Sequence, residues 1–278
     1  MRDFRTFILI SVYLGLISLV IGFIYYSQSP STYYLRFNPS ARTELGKNIF
    51  YALILIELVL INFISPGLTA GSITSERERQ TLDLLKTTLL SPVEFILGKF
   101  WPAFVYILLL IFTTLPILSI TSILGGFGIA ELIISTLILI VTGALLCAMG
   151  VFISSGLKRT TVATVVSYGT ILFPVFIVFF LYLFIDNGPP PGFDDPKYEA
   201  YWIYGLWSIA SINPFSAAAL TQIMITEMDS LFIIYTPPVS GNVGYIFLSP
   251  WIILTILYVI MTITILYFST RLINRAER

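Results

Sequence analysis

GSITSERERQTLDLLKTTLLSPVEFILGK, residues Gly71 to Lys99, is the one long polar interval with helical grammar of its own between two strongly apolar segments. Ser75-Glu76-Arg77-Glu78 has the pattern of a capping box, with Ser75 placed to cap the amide of Glu78 and Glu78 placed to reach back. Leu82, Leu85 and Leu89 follow at helical spacing, opposite Arg79, Asp83 and Lys86. Ser91-Pro92-Val93-Glu94 restarts the pattern, with Ser91 as N-cap, Pro92 in the first helical position and Glu94 three residues after the cap. The stretch predicts two short helices meeting at a corner between two membrane spans, which is the shape of a docking element.

On either side of it lie apolar runs of about 20 residues, each long enough to cross a hydrocarbon core of about 30 Å. They predict six spans, at about 6–26, 48–73, 102–122, 131–155, 164–185 and 249–270. Across the 278 residues 57% are hydrophobic and 11% charged, and the mean hydropathy is +0.92. A soluble chain carries roughly a quarter charged residues, and no alternating runs of about ten suggest a membrane barrel. The fold class is therefore an all-α polytopic membrane protein of one domain, 1–278. Six transmembrane helices are expected, with a cytoplasmic coupling element at 74–100 and a long external or re-entrant segment at 186–248.

Basic residues set the orientation. With the N-terminus inside, Arg2, Arg5, Arg77, Arg79, Lys86, Lys99, Lys158, Arg159, Arg271, Arg275 and Arg278 are cytoplasmic, and Arg36, Arg42, Lys47 and Lys197 are external. That asymmetry of 11 to four follows the positive-inside rule. Both termini then lie in the cytoplasm of a multi-pass protein of the cell membrane. In the external segment, Gly188-Pro189-Pro190-Pro191-Gly192 and Pro237-Pro238 predict stiff turns. Phe215–Met228 is helical in composition but too short to span, so an interfacial or re-entrant helix is expected there. Trp202, Tyr204 and Trp207 suit the headgroup level. Trp101-Pro102 predicts a break between a surface helix, 92–100, and the third span, with Phe95, Ile96 and Phe100 in the interface and Lys99 snorkelling to phosphates. A Gly125-Gly126-Phe127-Gly128 turn makes the third and fourth spans an antiparallel pair. Gly143, Ala144, Cys147, Ala148 and Gly150 allow close helix approach along the fourth.

Several chemistries are excluded outright. The chain has no histidine, which removes His-based acid–base catalysis and His metal ligation. It has a single cysteine, Cys147, so no intrachain disulfide can form. No G-x-x-x-x-G-K-[ST] occurs; Leu97-Gly98-Lys99-Phe100 lacks the first glycine and the hydroxyl residue. No span carries the paired aspartates of an intramembrane protease, and no basic run suggests nucleic acid. No catalytic, metal or cofactor site of its own is expected.

Two groups of candidate residues remain. Glu57 lies about 9 residues, or roughly 13 Å, into the second span, where an ionised carboxylate must face a cavity, find a partner or stay protonated. With Asn62, Ser65 and Thr69 it makes a partly polar stripe, read either as a pathway-lining or gating face or as interhelical hydrogen bonding. Ser65-Pro66-Gly67 is expected to kink that helix. Lys158-Arg159, in the short turn between the fourth and fifth spans, reads as a topogenic pair or as a second contact with a cytoplasmic partner.

Ile73-Thr74, Glu76-Arg77-Glu78, Thr81 to Leu85, Thr88, Leu90-Ser91-Pro92, Glu94 and Gly98-Lys99 together resemble the loop between spans two and three of ABC-2 type transporter permeases. Leu89 stands where proline is common in such loops, and only Met1–Arg5 precede the first span where an amphipathic elbow is usual. The resemblance implies the permease half of an ATP-binding cassette exporter. Its partners would be a second permease subunit, identical or homologous, and separate ATPase subunits that bind ATP-Mg. It also implies that this loop reaches the ATPase. Ser75, Glu76, Arg77, Glu78, Arg79, Thr81 and Asp83, with Lys158 and Arg159, are then the expected contacts. A membrane scaffold that recruits a cytosolic protein through the same loop is the alternative.

Overall fold

The computed structural model describes residues 2–28, 38–81, 91–122, 127–186, 196–228, 230–236 and 245–275. Leu82, Asp83, Leu85, Lys86 and Leu89, the Gly125-Gly126 pair, the Gly188–Gly192 turn and Pro237-Pro238 lie outside the described residues. The chain is a helical, polytopic membrane protein. In order, the helices are α1 (Arg2–Gln28), α2 (Pro39–Thr69), α3 (Thr74–Glu78), α4 (Pro92–Ser122), α5 (Ile129–Gly156), α6 (Thr160–Asp186), α7 (Pro196–Ile212) and α8 (Pro214–Met228). A strand pair, β1 (Ile233–Thr236) and β2 (Tyr245–Leu248), precedes the last helix, α9 (Pro250–Arg275). Among the described residues five helices are long and apolar enough to cross a membrane, or six if the bent pair of α7 and α8 is one span.

α5 is the central helix, packed against α2, α4, α6, α8 and α9. Its composition explains the position. Bulkier apolar residues alternate with Gly143, Cys147, Ala148 and Gly150, so neighbours approach on more than one side. A Cβ on Gly143 would stand 2.7 Å from Cγ2 of Ile107 on α4. α2 turns one face to this centre, with Phe50, Leu53, Ile54, Leu58 and Ile61 buried at spacings of three and four. α1 instead leaves Val12, Leu16, Leu19 and Phe23 exposed. In water such a stripe would be an interaction patch; in a bilayer it is ordinary lipid-facing surface.

Two expectations are corrected here. Pro102 does not break the chain, because α4 runs unbroken for 31 residues with Pro102 and Pro116 inside it. A break at membrane depth would expose more backbone than the one hydrogen bond that proline removes. Phe100 and Ile96 accordingly face the core rather than the membrane surface. The Ser91 cap is formed as expected: the Glu94 carboxylate accepts from the Ser91 amide at 2.8 Å, and Ser91 Oγ accepts from the Glu94 amide at 3.3 Å.

The second correction concerns the interval before α9, which carries strands that the sequence did not announce. β1 and β2 pair antiparallel, with Ile233 opposite Leu248 and Thr236 opposite Tyr245. Trp207 donates its indole N–H to Leu248 O at 3.0 Å, and the rings of Tyr204 and Trp207 lie 5.1 and 4.7 Å from that of Phe247. These two aromatics therefore anchor a hairpin. The expected helix at 215–228 is present as α8, bent 112° from α7. The bend falls at Asn213, whose side-chain oxygen accepts from the Phe215 amide at 3.0 Å. α8 is held inside the bundle, with Gln222 Nε2 donating to Ser135 Oγ on α5 at 2.6 Å.

Candidate coupling corner and buried carboxyl node

The expected capping box at Ser75 does not form. After Thr69 the chain keeps turning, and the Ser75 amide already bonds Gly71 O at 3.1 Å, so Ser75 lies inside the helical ladder and has no cap to make. The N-terminal amides of α3 are satisfied from another helix. Ser154 Oγ, near the end of α5, accepts from the Ile73 and Thr74 amides at 3.0 and 3.1 Å. Glu78, freed from the box, accepts from both the amide and the hydroxyl of Thr160, at 2.8 and 2.9 Å, and so caps the start of α6. Between them Arg77 sends one nitrogen to Leu157 O and the other to Ser155 O at 3.1 Å, the carbonyl end of α5.

The signs of these contacts match the helix ends. A guanidinium sits where α5 carries partial negative charge, and a carboxylate where α6 carries partial positive charge. One five-residue helix therefore grips both sides of the 157–159 turn, and it is itself capped by Ser154. Glu76 forms an ion pair with Lys99 on α4, and Lys99 also lies 5.6 Å from the Phe95 ring centroid. The expected snorkelling of Lys99 to phosphates is replaced by that pairing. The corner thus binds the ends of α4, α5 and α6 to the end of α2.

α3 closes with a Schellman motif: the Thr81 amide bonds Glu76 O at 3.0 Å and the Gln80 amide bonds Arg77 O at 3.1 Å. Gln80 occupies the left-handed position with φ 58°, which favours glycine. Gln80→Gly is expected to raise the stability of the purified chain by roughly 1 kcal/mol, read as a higher thermal unfolding midpoint. A lower midpoint would mean that the Gln80 side chain contributes more than its backbone costs.

Around the grip, Arg79, Thr81, Lys158 and Arg159 are exposed, and Ser75 is partly so. Of the expected contacts, Glu76, Arg77 and Glu78 are thus engaged within the chain, whereas Arg79, Thr81, Lys158 and Arg159 form the outer surface of the corner. Sequence reasoning missed Ser154 and Thr160. Thr160 did carry a signal, being a hydroxyl residue at the start of an apolar helical run.

The second site is inside the bundle. Glu57 is buried, and its Oε1 accepts from Thr114 Oγ1 on α4 at 2.7 Å and from Tyr13 OH on α1 at 3.1 Å. Asn62 and Thr69 bond back to their own helix, at Leu58 O and Ser65 O, and the buried Ser65 hydroxyl meets Cys147 on α5. α2 continues through Pro66 to Thr69. Alongside Pro66, Tyr168 on α6 donates to Phe63 O at 3.1 Å.

Because both donors meet one oxygen of Glu57, a glutamine carbonyl can take its place. Glu57→Gln is expected to keep the stability read from the unfolding midpoint within about 1 kcal/mol of wild type. Glu57→Leu, which strands the Tyr13 hydroxyl, is expected to cost about 1–3 kcal/mol. Equal losses in the two variants would assign the node's stability to the charge rather than to these hydrogen bonds.

Residues 22–268 match the model of a family described as ABC-2 family transporter protein. No curated protein matches the chain.

Proposed function

We propose that this chain, which belongs to the ABC-2 family of transporter proteins, is the membrane-spanning permease subunit of an ATP-binding cassette transporter, and that it works as an exporter. ATP is bound and hydrolysed by a separate subunit, in keeping with a sequence that has no P-loop. A second permease subunit completes the pathway. The 74–81 corner faces the cytoplasm, together with both termini, in keeping with the bias of Lys and Arg.

The observation that carries this reading is the grip of α3 on the 157–159 turn. A surface element meant only to recruit a protein has no need to cap two membrane helices. An element meant to move them does. Arg79, Thr81, Lys158 and Arg159, with Ser75 and Asp83, receive the ATPase, while Glu76, Arg77 and Glu78 pass its displacement to α4, α5 and α6. The Glu57 node then links α2 to α1 and α4, so that a rigid-body shift of α2 is shared among the helices flanking it.

The test is co-purification of the full chain with its candidate ATPase, followed by hydrolysis measurements in proteoliposomes. The expected result is a stable complex whose hydrolysis depends on the permease and is lowered by charge reversal at Arg79, Lys158 and Arg159 together. A complex that forms and hydrolyses normally in that triple variant would overturn the contact assignment. An ATPase whose rate ignores the permease altogether would favour the scaffold.

A further inference from the structure

Between α5 and α9, at the same end of the bundle as the corner, lies a cavity of about 380 Å³ lined by Phe152, Tyr267, Phe268, Arg271 and Leu272. That volume is within the range of small-molecule sites. Its walls are apolar apart from Arg271 and the Tyr267 hydroxyl. We propose that it holds an anionic phospholipid, with Arg271 on the phosphate and the first part of an acyl chain against Phe152, Phe268 and Leu272.

Three observations support that occupant. The outer stripe of α9 is apolar and exposed along Ile256, Ile260 and Ile263 and ends at Tyr267, Phe268 and Arg271, the order in which hydrocarbon gives way to phosphate. The guanidinium is held in place: Nε and Nη2 both donate to Tyr267 OH, at 3.0 and 2.5 Å, and its carbon lies 5.2 Å from that ring's centroid. Two of the five N–H donors of arginine are used in this way and the others stay available for a phosphate. Finally, among the described residues no carboxylate pairs with Arg271, so the site carries net positive charge at a depth where anionic headgroups lie.

Such a lipid would bear on the coupling corner. Phe152 precedes Ser154 by half a turn, and a Cβ on Gly156 would stand 3.8 Å from Leu272 Cδ1. An occupied cavity therefore braces the end of α5 that Arg77 caps. The assignment to the inner leaflet rests on the orientation proposed above; the binding site itself does not.

The test is native mass spectrometry of the full chain in detergent, titrated with phosphatidylglycerol or with phosphatidylcholine of the same acyl chains. Wild type is expected to prefer phosphatidylglycerol. Arg271→Gln should weaken that lipid about fivefold with phosphatidylcholine unchanged, and Arg271→Lys should keep most of the preference. Arg275→Gln, one turn further on, should bind as wild type. Undiminished phosphatidylglycerol binding by Arg271→Gln, an equal loss in Arg275→Gln, or no preference in wild type would overturn the proposal. Because the assay contains neither ATPase nor nucleotide, a transporter that fails to assemble leaves this result standing. A failed lipid titration likewise leaves the transport reading intact.

Discussion

Arg77→Ala is expected to cut ATP-driven transport by at least about tenfold while the subunit still folds and inserts in normal amount. The guanidinium bridges two carbonyls at the end of α5, and hydrogen bonds from a charged donor contribute roughly 1.5–3 kcal/mol. Arg77 is only part-buried, so water can replace it and the subunit survives. What is lost is the tie between α3 and α5, and about 1.4 kcal/mol changes the tied population tenfold. Glu76→Gln makes the control. Its ion pair with Lys99 is part-exposed, and such pairs are worth about 1 kcal/mol or less, so transport should fall no more than a fewfold.

A further variant separates helix capping from simple charge attraction. In the exchange Arg77→Glu with Glu78→Arg, an ordinary pair of opposite charges would be restored. Here an anion would face the carbonyl end of α5 and a cation the amide end of α6, each against the local dipole. Transport should therefore be worse in the exchanged variant than in Arg77→Ala. Recovery would show that the polarity of the helix ends is irrelevant to the corner.

The membrane class and most spans were legible because apolar length is a direct physical requirement of the bilayer, and in the 71–99 corner the Ser91 cap was legible because its pattern is local. The partners of that corner were not. Glu78 read as the partner of Ser75, and both Arg77 and Glu78 as contacts for an ATPase, until the fold brings Ser155, Leu157 and Thr160 against them from about 80 residues away. Ser75 read as a cap because the four-residue pattern says nothing of a chain that enters already helical. Pro102 read as a break because the rule for proline is learned in water, where an opened turn can be hydrated. The hairpin was hidden because Ile233–Thr236 and Tyr245–Leu248 are four-residue runs, indistinguishable by composition from the apolar helices on either side. Glu57 was singled out from the sequence by depth alone, but its partners Tyr13 and Thr114 sit on other helices and carry no mark of their own.

Gly150→Ala is expected to be the most disruptive glycine-to-alanine change among the described residues, for a reason set by Thr69. The Thr69 hydroxyl bonds Ser65 O at 2.7 Å and is thereby fixed against its own helix. A Cβ on Gly150 would fall within that hydroxyl, 2.7 Å from Thr69 Cβ and 3.6 Å from its carbonyl carbon. The backbone cannot yield locally on both helices, so α2 and α5 must part, and overpacking of this kind costs about 1–3 kcal/mol. Thr69→Ala should rescue only in part, since it removes the hydroxyl but keeps the Cβ. Thr69→Gly removes both, at a helix cost of about 1 kcal/mol, and should show the larger coupling with Gly150→Ala in a double-mutant cycle read from unfolding midpoints. The damage reaches the corner as well. Ser154 lies one turn beyond Gly150 on the same face of α5, and it is Ser154 that caps α3. Parting the helices at 69 and 150 withdraws that cap, so transport should fall further than the loss of folded protein explains. An unchanged midpoint in Gly150→Ala would place α2 and α5 further apart than this crossing requires. A lowered midpoint with transport reduced only in proportion would keep the crossing but detach it from the coupling of α3 to α5.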